Sequence, residues 1–542
     1  MNRDDVNAPA GRERTLTRPV LAWSVCAALA GAILVTGPLF GRPALIRLPG
    51  VVLPALVIAL VAARPWRWTA RDRDVIAGWT PTQRTIRVSS LALGAILFWI
   101  VLTRFQSGDI NAIDFTVYFD RPLYQTAHGR LLFVETADLP AFSHRSQLAV
   151  HAYYLLLVLA PLYAIAASPY WLLALSVAAV TFGAIHVFRV TRRLSNAGLV
   201  GAAAALAFAL NANTARTLLY GFHPEILYAW FIPAALDAAL ERRRWCFLAA
   251  VLAATLVKED AVLALFALAV TVALIARPSG RERWLYVALP PIVALANLAI
   301  YYRYLLPALS GSSTPVYIGF WQNHGPTLPR ALWDILSHPV EAVHAVATSG
   351  ILRVLLPFAF LPLVSWRMIA GILPIVVLYA GSANPQLRAF GIYYSITLVP
   401  FLAIAGALGA LRISRLLAGE SSARIAAASV VVLAALMAYG DRAGYSLRPW
   451  RPEVAATRRI VESLASEPVV LVQSALYPHA GYDARVVLLT RETLREPRYT
   501  GRAVVLAPHL DAYPLSKAEI EALARQGSQT ASGDGIVVVR RP

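Results

Sequence analysis

Apolar and polar positions along this chain fall into long blocks, not into the alternation of a half-buried strand. Mostly apolar runs occupy 19–38, 49–65, 87–104, 148–167, 169–188, 197–213, 224–240, 245–257, 261–276, 284–302, 351–364, 368–381, 391–411 and 423–440. A helix crossing the hydrocarbon core needs about 20 apolar residues, with a range of about 17–25. Most of the blocks therefore predict membrane helices. Between them lie short arginine-rich loops: Arg67, Arg71, Arg73, Arg84 and Arg87; Arg189, Arg192 and Arg193; Arg242 to Arg244; Arg277, Arg281 and Arg283; Arg367; Arg412 and Arg415. Basic loops stay on the cytoplasmic side. Putting these six on one side fixes the alternation, with an odd number of crossings between 148 and 188. Residues 148–167 are then predicted to lie in the interface or re-enter, as irregular segments can where protein covers them, and 169–188 to cross. The total is about 13 crossings, with the N-terminus cytoplasmic and the C-terminus outside.

Two long polar inserts face outward in this scheme, 105–147 and 303–350. After residue 440 the pattern changes. Short β-branched runs at 469–472, 486–489, 504–506 and 536–539 predict buried strands, and Lys517 to Arg525 an amphipathic helix capped by Ser516. The chain thus divides into 1–86, a cytoplasmic N-terminus with two helices; 87–440, the main transmembrane unit; and 441–542, a small extracytoplasmic α/β domain. The fold class is an α-helical polytopic membrane protein carrying that domain.

Composition agrees with this reading. Of 542 residues 58% are hydrophobic and 15% charged, and mean hydropathy is +0.58, so lipid must be the solvent for much of the surface. The net charge of +19 is explained by the loop arginines, which argues against nucleic acid as a partner. Arg12, Arg14 and Arg18 precede the first apolar run, which is long and lacks a clear cleavage site, so an uncleaved first helix is expected. Cys26 and Cys246 each sit inside an apolar run, and no Cys-x-x-Cys motif predicts structural zinc.

Candidate chemistry gathers on the outer side. The insert that follows Arg104 carries Asp109, Asp114 and Asp120, then His128, Glu135, Asp138, His144 and His151. A carboxylate there can take a proton from an attacking hydroxyl or hold a divalent cation; Asp109 and Asp114 also suit helix caps. Asp114 leads because Phe115, Tyr118 and Phe119 flank it, as in a sugar-binding cleft, although interfacial aromatics also serve as anchors. His223-Pro224-Glu225 offers an acid, a base or a phosphate donor, or simply a helix start with proline first. Lys258-Glu259-Asp260 places three charges between two apolar runs, where charge is costly unless paired or facing a cavity; a tight turn in water is the plainer alternative. Arg388 with Tyr393 and Tyr394 suits a phosphate or a lipid headgroup. His324, His338 and His344 read as loop polar groups without metal spacing. Ser474, His479 and Asp483 supply the letters of a hydrolytic triad without its motif.

These segments in this order, Ile113-Asp114-Phe115-Thr116-Val117-Tyr118, Gly221-Phe222-His223-Pro224-Glu225, Lys258-Glu259-Asp260, Gln386-Leu387-Arg388 with Tyr393-Tyr394, and Ser474 to His479, resemble the bacterial polytopic membrane proteins of the domain-of-unknown-function 2079 family, over roughly residues 87–490. That family is similar in turn to the GT-C class of integral-membrane glycosyltransferases. The resemblance implies a bacterial plasma-membrane location and an outward-facing site. It implies a polyprenyl-phosphate-linked sugar donor and an extracytoplasmic glycan, lipid or protein acceptor. Asp114, with Asp109 and Glu259, would be catalytic; Lys258 and Arg388 would contact the donor phosphate; and His223, Glu225, Asp260, Asp120, Tyr393 and Tyr394 would line the site. No cofactor is required, and the 109/114/120 spacing, unlike Asp-x-Asp, leaves a divalent cation (Mg or Mn) open. A transporter or lipid flippase, or a non-catalytic envelope scaffold, are the alternative classes; inverted repeats and a midplane site, expected of a transporter, are not visible.

Overall fold

A computed structural model describes residues 70–135, 146–311, 316–437, 445–526 and 528–540. The two apolar runs expected at 19–38 and 49–65, and with them Cys26, Asp138 and His144, lie outside the described residues.

The described chain is largely helical. Five helices are long and apolar enough to cross a membrane: Gln83–Phe105, Tyr170–Ser195, Gly280–Ser310, Leu361–Ala380 and Val399–Leu417. Counting two bent pairs as single spans, Gly198–Ala209 with Ala212–Tyr220 and Pro339–Thr348 with Ile351–Phe358, raises the number to seven. The expected total of about 13 is therefore not reached among the described residues. Length is one reason. The runs at 245–257 and 261–276 form helices Arg244–Thr255 and Ala261–Ile275 of 12 and 15 residues, and at 1.5 Å per residue neither covers a core of about 30 Å. Tyr154–Ile165, inside 148–167 and not among the expected crossings, also has 12 residues. Breaks are the other reason. Ala359 and Phe360 both take left-handed backbone conformations, with Pro357 and Pro362 beside them. The run at 351–364 therefore turns where it was expected to continue.

Small residues let the helices pack closely. A Cβ on Gly183 would collide with the Ala229 carbonyl, and one on Gly409 with the Leu361 carbonyl, so both crossings depend on bare backbone. The helix Tyr170–Ser195 also orients the bundle. Its first residue, Tyr170, accepts from Gln106 at 2.7 Å, next to the insert. Its last turns carry Arg189, Arg192 and Arg193, 26 residues of helix away at most. At that far end Arg193 pairs with Glu241 and Arg242 with Glu282. The arginine loops thus meet at one end of the bundle and the insert sits at the other.

The insert is not a solvated polar loop. Residues Ile113–Asp120 form a π-helix and Arg121–Ala127 an α-helix, with Phe115, Phe119 and Leu123 fully buried. Its outer side builds onto the C-terminal segment. There β1 (Val470–Val472), β2 (Val486–Leu488), β3 (Ala503–Leu506), β4 (Ser528–Gly533) and β5 (Ile536–Arg540) form one sheet in the order β2-β1-β3-β5-β4. The first three strands are parallel, while β5 runs antiparallel to β3 and β4. The polar strand β4, with its sequence Ser-Gln-Thr-Ala-Ser-Gly, has no apolar signature and was not expected. Ile113, Val117 and Val134 of the insert share a core with Val470, Val472 and Val505. Arg121 clamps the join by donating to the carbonyls of Gly481 and Asp483 at 3.2 and 3.0 Å.

Candidate functional site

At the insert end of the bundle a cavity of about 210 Å³ opens among side chains drawn from six stretches, 114–119, 147–153, 223, 258–263, 317–321 and 379–394. Asp114, His223, Lys258, Glu259, Asp260, Tyr393 and Tyr394 all line it, together with His151, Tyr153, Tyr317, Trp321 and Tyr379.

Each polar group is held by local chemistry. Asp114 opens the π-helix, and Asn111 accepts from its backbone N–H at 3.0 Å. Asn111 also donates to the Tyr220 hydroxyl at 2.7 Å, which donates to Asp114 Oδ2 at 2.5 Å. His223 is extended because Pro224 follows it. Its ring stacks on Tyr393 with centroids 3.5 Å apart, and its Nδ1–H donates to Glu225. The other Glu225 oxygen accepts from the Lys258 ammonium at 2.6 Å. Glu259 accepts from His151 Nδ1 at 2.7 Å and from the Ala152 N–H at 2.8 Å. Asp260 accepts from the Tyr228 hydroxyl at 2.7 Å and stands 4.0 Å from Lys258.

The electrostatics follow from this wiring. Three carboxylates, Glu225, Glu259 and Asp260, act on one ammonium. Burial pushes the Asp260 carboxyl up to about 7, with Lys258 opposing and Glu225 and Glu259 adding to the rise. Burial also raises Asp114, against the pull of His223. Glu225 is the opposite case: burial would raise it, but the His223 ring and Lys258 outweigh that and hold it below the usual carboxylate range. Burial likewise opposes the charge on Lys258, yet Glu225 and its acidic neighbours hold the ammonium well above its ordinary value. A proton-holding acid and a fixed cation thus face one cavity, and the Asp260 side chain is 25% exposed to it.

Other expected members are placed elsewhere. Asp109 ion-pairs with Arg448 at 2.8 Å and Arg104 at 3.3 Å. It lines a second, larger cavity of about 450 Å³, between the bundle and the C-terminal segment, with Arg216, Tyr220, Ser474 and Tyr513. The two cavities abut at the Tyr220–Asp114 hydrogen bond. Asp120 is buried under the hydroxyls of Tyr163 and Tyr482, at 2.7 and 2.8 Å, and burial pushes it up to about 6. Glu225 stands behind the cavity wall, reaching it through His223 and Lys258. Arg388 is exposed and donates to Thr348 Oγ1 at 3.0 Å; its neighbour Leu387, not Arg388 itself, lines the cavity. Ser474, His479 and Asp483 do not assemble. Ser474 donates to the Tyr513 carbonyl, His479 packs on Phe105 and Asp483 pairs with Arg485.

Sequence reasoning did not assign His151, Tyr153, Tyr317, Trp321 or Tyr379 to the site. Only the density of aromatic residues in 316–321 hinted at a lining role. Among the described residues no group of three or more His, Cys, Asp and Glu side chains is arranged to hold a metal ion. Both oxygens of Glu225 and Glu259 already accept hydrogen bonds.

A family model described as "Predicted membrane protein (DUF2079)" matches residues 104–500. No curated protein matches the chain. Among solved structures, ArnT from Cupriavidus metallidurans in the apo state is 15% identical, with 84% of this chain and 97% of that chain covered and a TM-score of 0.46.

Proposed function

The chain belongs to the DUF2079 family of predicted membrane proteins, and from that premise we propose that it is a membrane glycosyltransferase. It moves a sugar from a polyprenyl-phosphate donor to an extracytoplasmic acceptor. The observation that carries this reading is the buried Lys258 ammonium facing the same cavity as Asp114 and Asp260.

In the proposed step the acceptor hydroxyl attacks the anomeric carbon and passes its proton to Asp114. The bond from that carbon to the phosphate oxygen breaks, and its electron pair stays on the phosphate. Lys258 neutralises the developing charge from a fixed position, where preorganised charge acts most strongly. Asp260, titrating near 7, is matched to hand its proton to the leaving phosphate. His223 is locked by Glu225 and Tyr393 and orients the sugar. Lys258 also lies 5.8 Å over the Tyr153 ring, which steadies the cation when the site is empty. The larger cavity beyond Tyr220 gives the acceptor its approach. Arg388 takes no part in the step, and no cation is invoked.

The side of the membrane follows from the arginines. They cluster at the end of the bundle away from the cavity, and such loops stay cytoplasmic, so the cavity and the C-terminal sheet face outward.

The test is genetic and chemical. A deletion strain is profiled for glycans and glycolipids and complemented with wild type or Asp114→Asn. Loss of one sugar modification, restored by wild type and not by the variant at equal protein level, is the expected result. Full restoration by Asp114→Asn would remove Asp114 from the mechanism, and loss of solute import with an unchanged glycan profile would point to a transporter.

A further inference from the structure

Helices Leu328–Ser337 and Pro339–Thr348 meet at His338 and form an elbow. One side of the first helix packs inward through Ala331 and Ile335. Its other side leaves Trp333 and Leu336 66% and 74% exposed, and the second helix leaves Val340 and Val343 81% and 70% exposed. Water is a poor neighbour for such a ridge. A helix of 10 residues is about 15 Å long, too short to cross a bilayer. Across a short break, however, the second helix pairs with Ile351–Phe358 at a bend of 57°, and together they are long and apolar enough for a broken span or a re-entrant segment. The ridge therefore runs from the first helix onto the outer half of a candidate membrane segment, and an exposed tryptophan just beyond such a segment is typical of the interface.

The inner side of the elbow is tied to the cavity. His324 Nδ1 faces Asp334 of the first helix at 2.8 Å, and its Nε2 faces the Gly381 carbonyl at 3.0 Å. Three residues earlier Trp321, in the cavity wall, donates to the Leu378 carbonyl at 2.9 Å. Tyr317 of the same wall stacks on His151, centroids 5.0 Å apart.

We propose that this elbow is a membrane-docking element. Its apolar ridge rests in the outer headgroup–acyl boundary of the bilayer, and that seating holds the Tyr317–Trp321 wall of the cavity in place. The inference does not depend on which reaction the cavity supports.

The test uses the full chain with Cys26→Ala and Cys246→Ala, reconstituted in phosphatidylcholine–phosphatidylglycerol vesicles. Nitroxide labels are placed singly at Leu336→Cys, Val340→Cys and, as a water-facing control, Arg330→Cys. The labels at 336 and 340 should collide more with oxygen than with a water-soluble nickel chelate, and the label at 330 the reverse. Nickel preference at all three positions would overturn the docking. A label at Gln322→Cys reports the wall. Adding Leu336→Asp should increase its mobility, and an unchanged spectrum, with the label at 340 shown to have left the lipid, would overturn the coupling.

Discussion

Two buried carboxylate clusters occupy opposite ends of this bundle, and they differ in charge balance. At the arginine end Asp237 is fully buried, and four basic side chains converge on it: His186 at 2.9 Å, Arg243 at 3.4 Å, Arg189 at 3.7 Å and Arg193 at 3.9 Å. At the insert end the ratio is inverted, with Glu225, Glu259 and Asp260 around Lys258, and a cavity that Asp114 also lines opens beside them. Burying charge is costly in both places. At the first site the carboxylate is more than matched by its basic neighbours, as expected of a structural clasp. At the second an acid surplus faces empty space, which suits proton transfer, and the Lys258 ammonium beside it is what an anionic ligand requires. Burial of a charge is thus a weak sign of function by itself; burial with imbalance and a cavity is a stronger one.

Substitutions should separate the two ends. The largest effect is expected from Lys258→Met, which leaves Glu225 buried beside only His223. Removing one partner of a buried pair costs roughly 3–5 kcal/mol, so the unfolding midpoint in detergent should fall sharply and transfer should be lost. Asp114→Asn should lower transfer by about 10²–10⁴-fold, the usual worth of a general base, with the midpoint nearly unchanged. Asp237→Asn should do the reverse, lowering stability by about 1–3 kcal/mol while activity per folded molecule stays at wild type. Equal loss of activity in the Asp237 and Asp114 variants would dissolve the contrast.

The pH response is subtler. Asp260 rises from an ordinary carboxylate value to about 7 and Asp120 to about 6. The folded state therefore keeps protons that the unfolded chain releases. The stability from these two groups is full below their unfolded values, about 4, and is lost as pH climbs to about 7. Asp260→Asn should flatten the upper part of that decline, read as unfolding midpoint against pH. Arg388→Ala should have the smallest effect. Its exposed bond to Thr348 is worth under about 1 kcal/mol, and transfer should change less than threefold.

How far the sequence foretold this architecture depends on the kind of information each feature needs. Lys258-Glu259-Asp260 and His223-Pro224-Glu225 stood out because charge between apolar runs is rare, and helix alternation brings them to one end with Asp114. The direction in which an acid points was not readable. Asp120 is claimed by Tyr163 and Tyr482, 43 and 362 residues away, and Asp109 by Arg448 as well as by nearby Arg104; the distant partners are not visible locally. Asp237 passed unnoticed inside the apolar run 224–240, because its counter-charges come largely from another helix. The expected span count is not reached among the described residues for a related reason: hydropathy registers how apolar a run is, not whether its backbone turns at Ala359 and Phe360. The four β-branched runs near strands β1, β2, β3 and β5 were readable from their side chains alone, whereas β4 depends on pairing with β5.

The most direct test of the central claim is photo-crosslinking of the reconstituted protein with a polyprenyl monophosphate carrying a diazirine beside the phosphate. The account predicts saturable labelling of residues 147–153, 258–263 and 387–394, displaced by unlabelled lipid phosphate. Labelling at the Asp237 end, or diffuse labelling that unlabelled lipid phosphate does not displace, would contradict it.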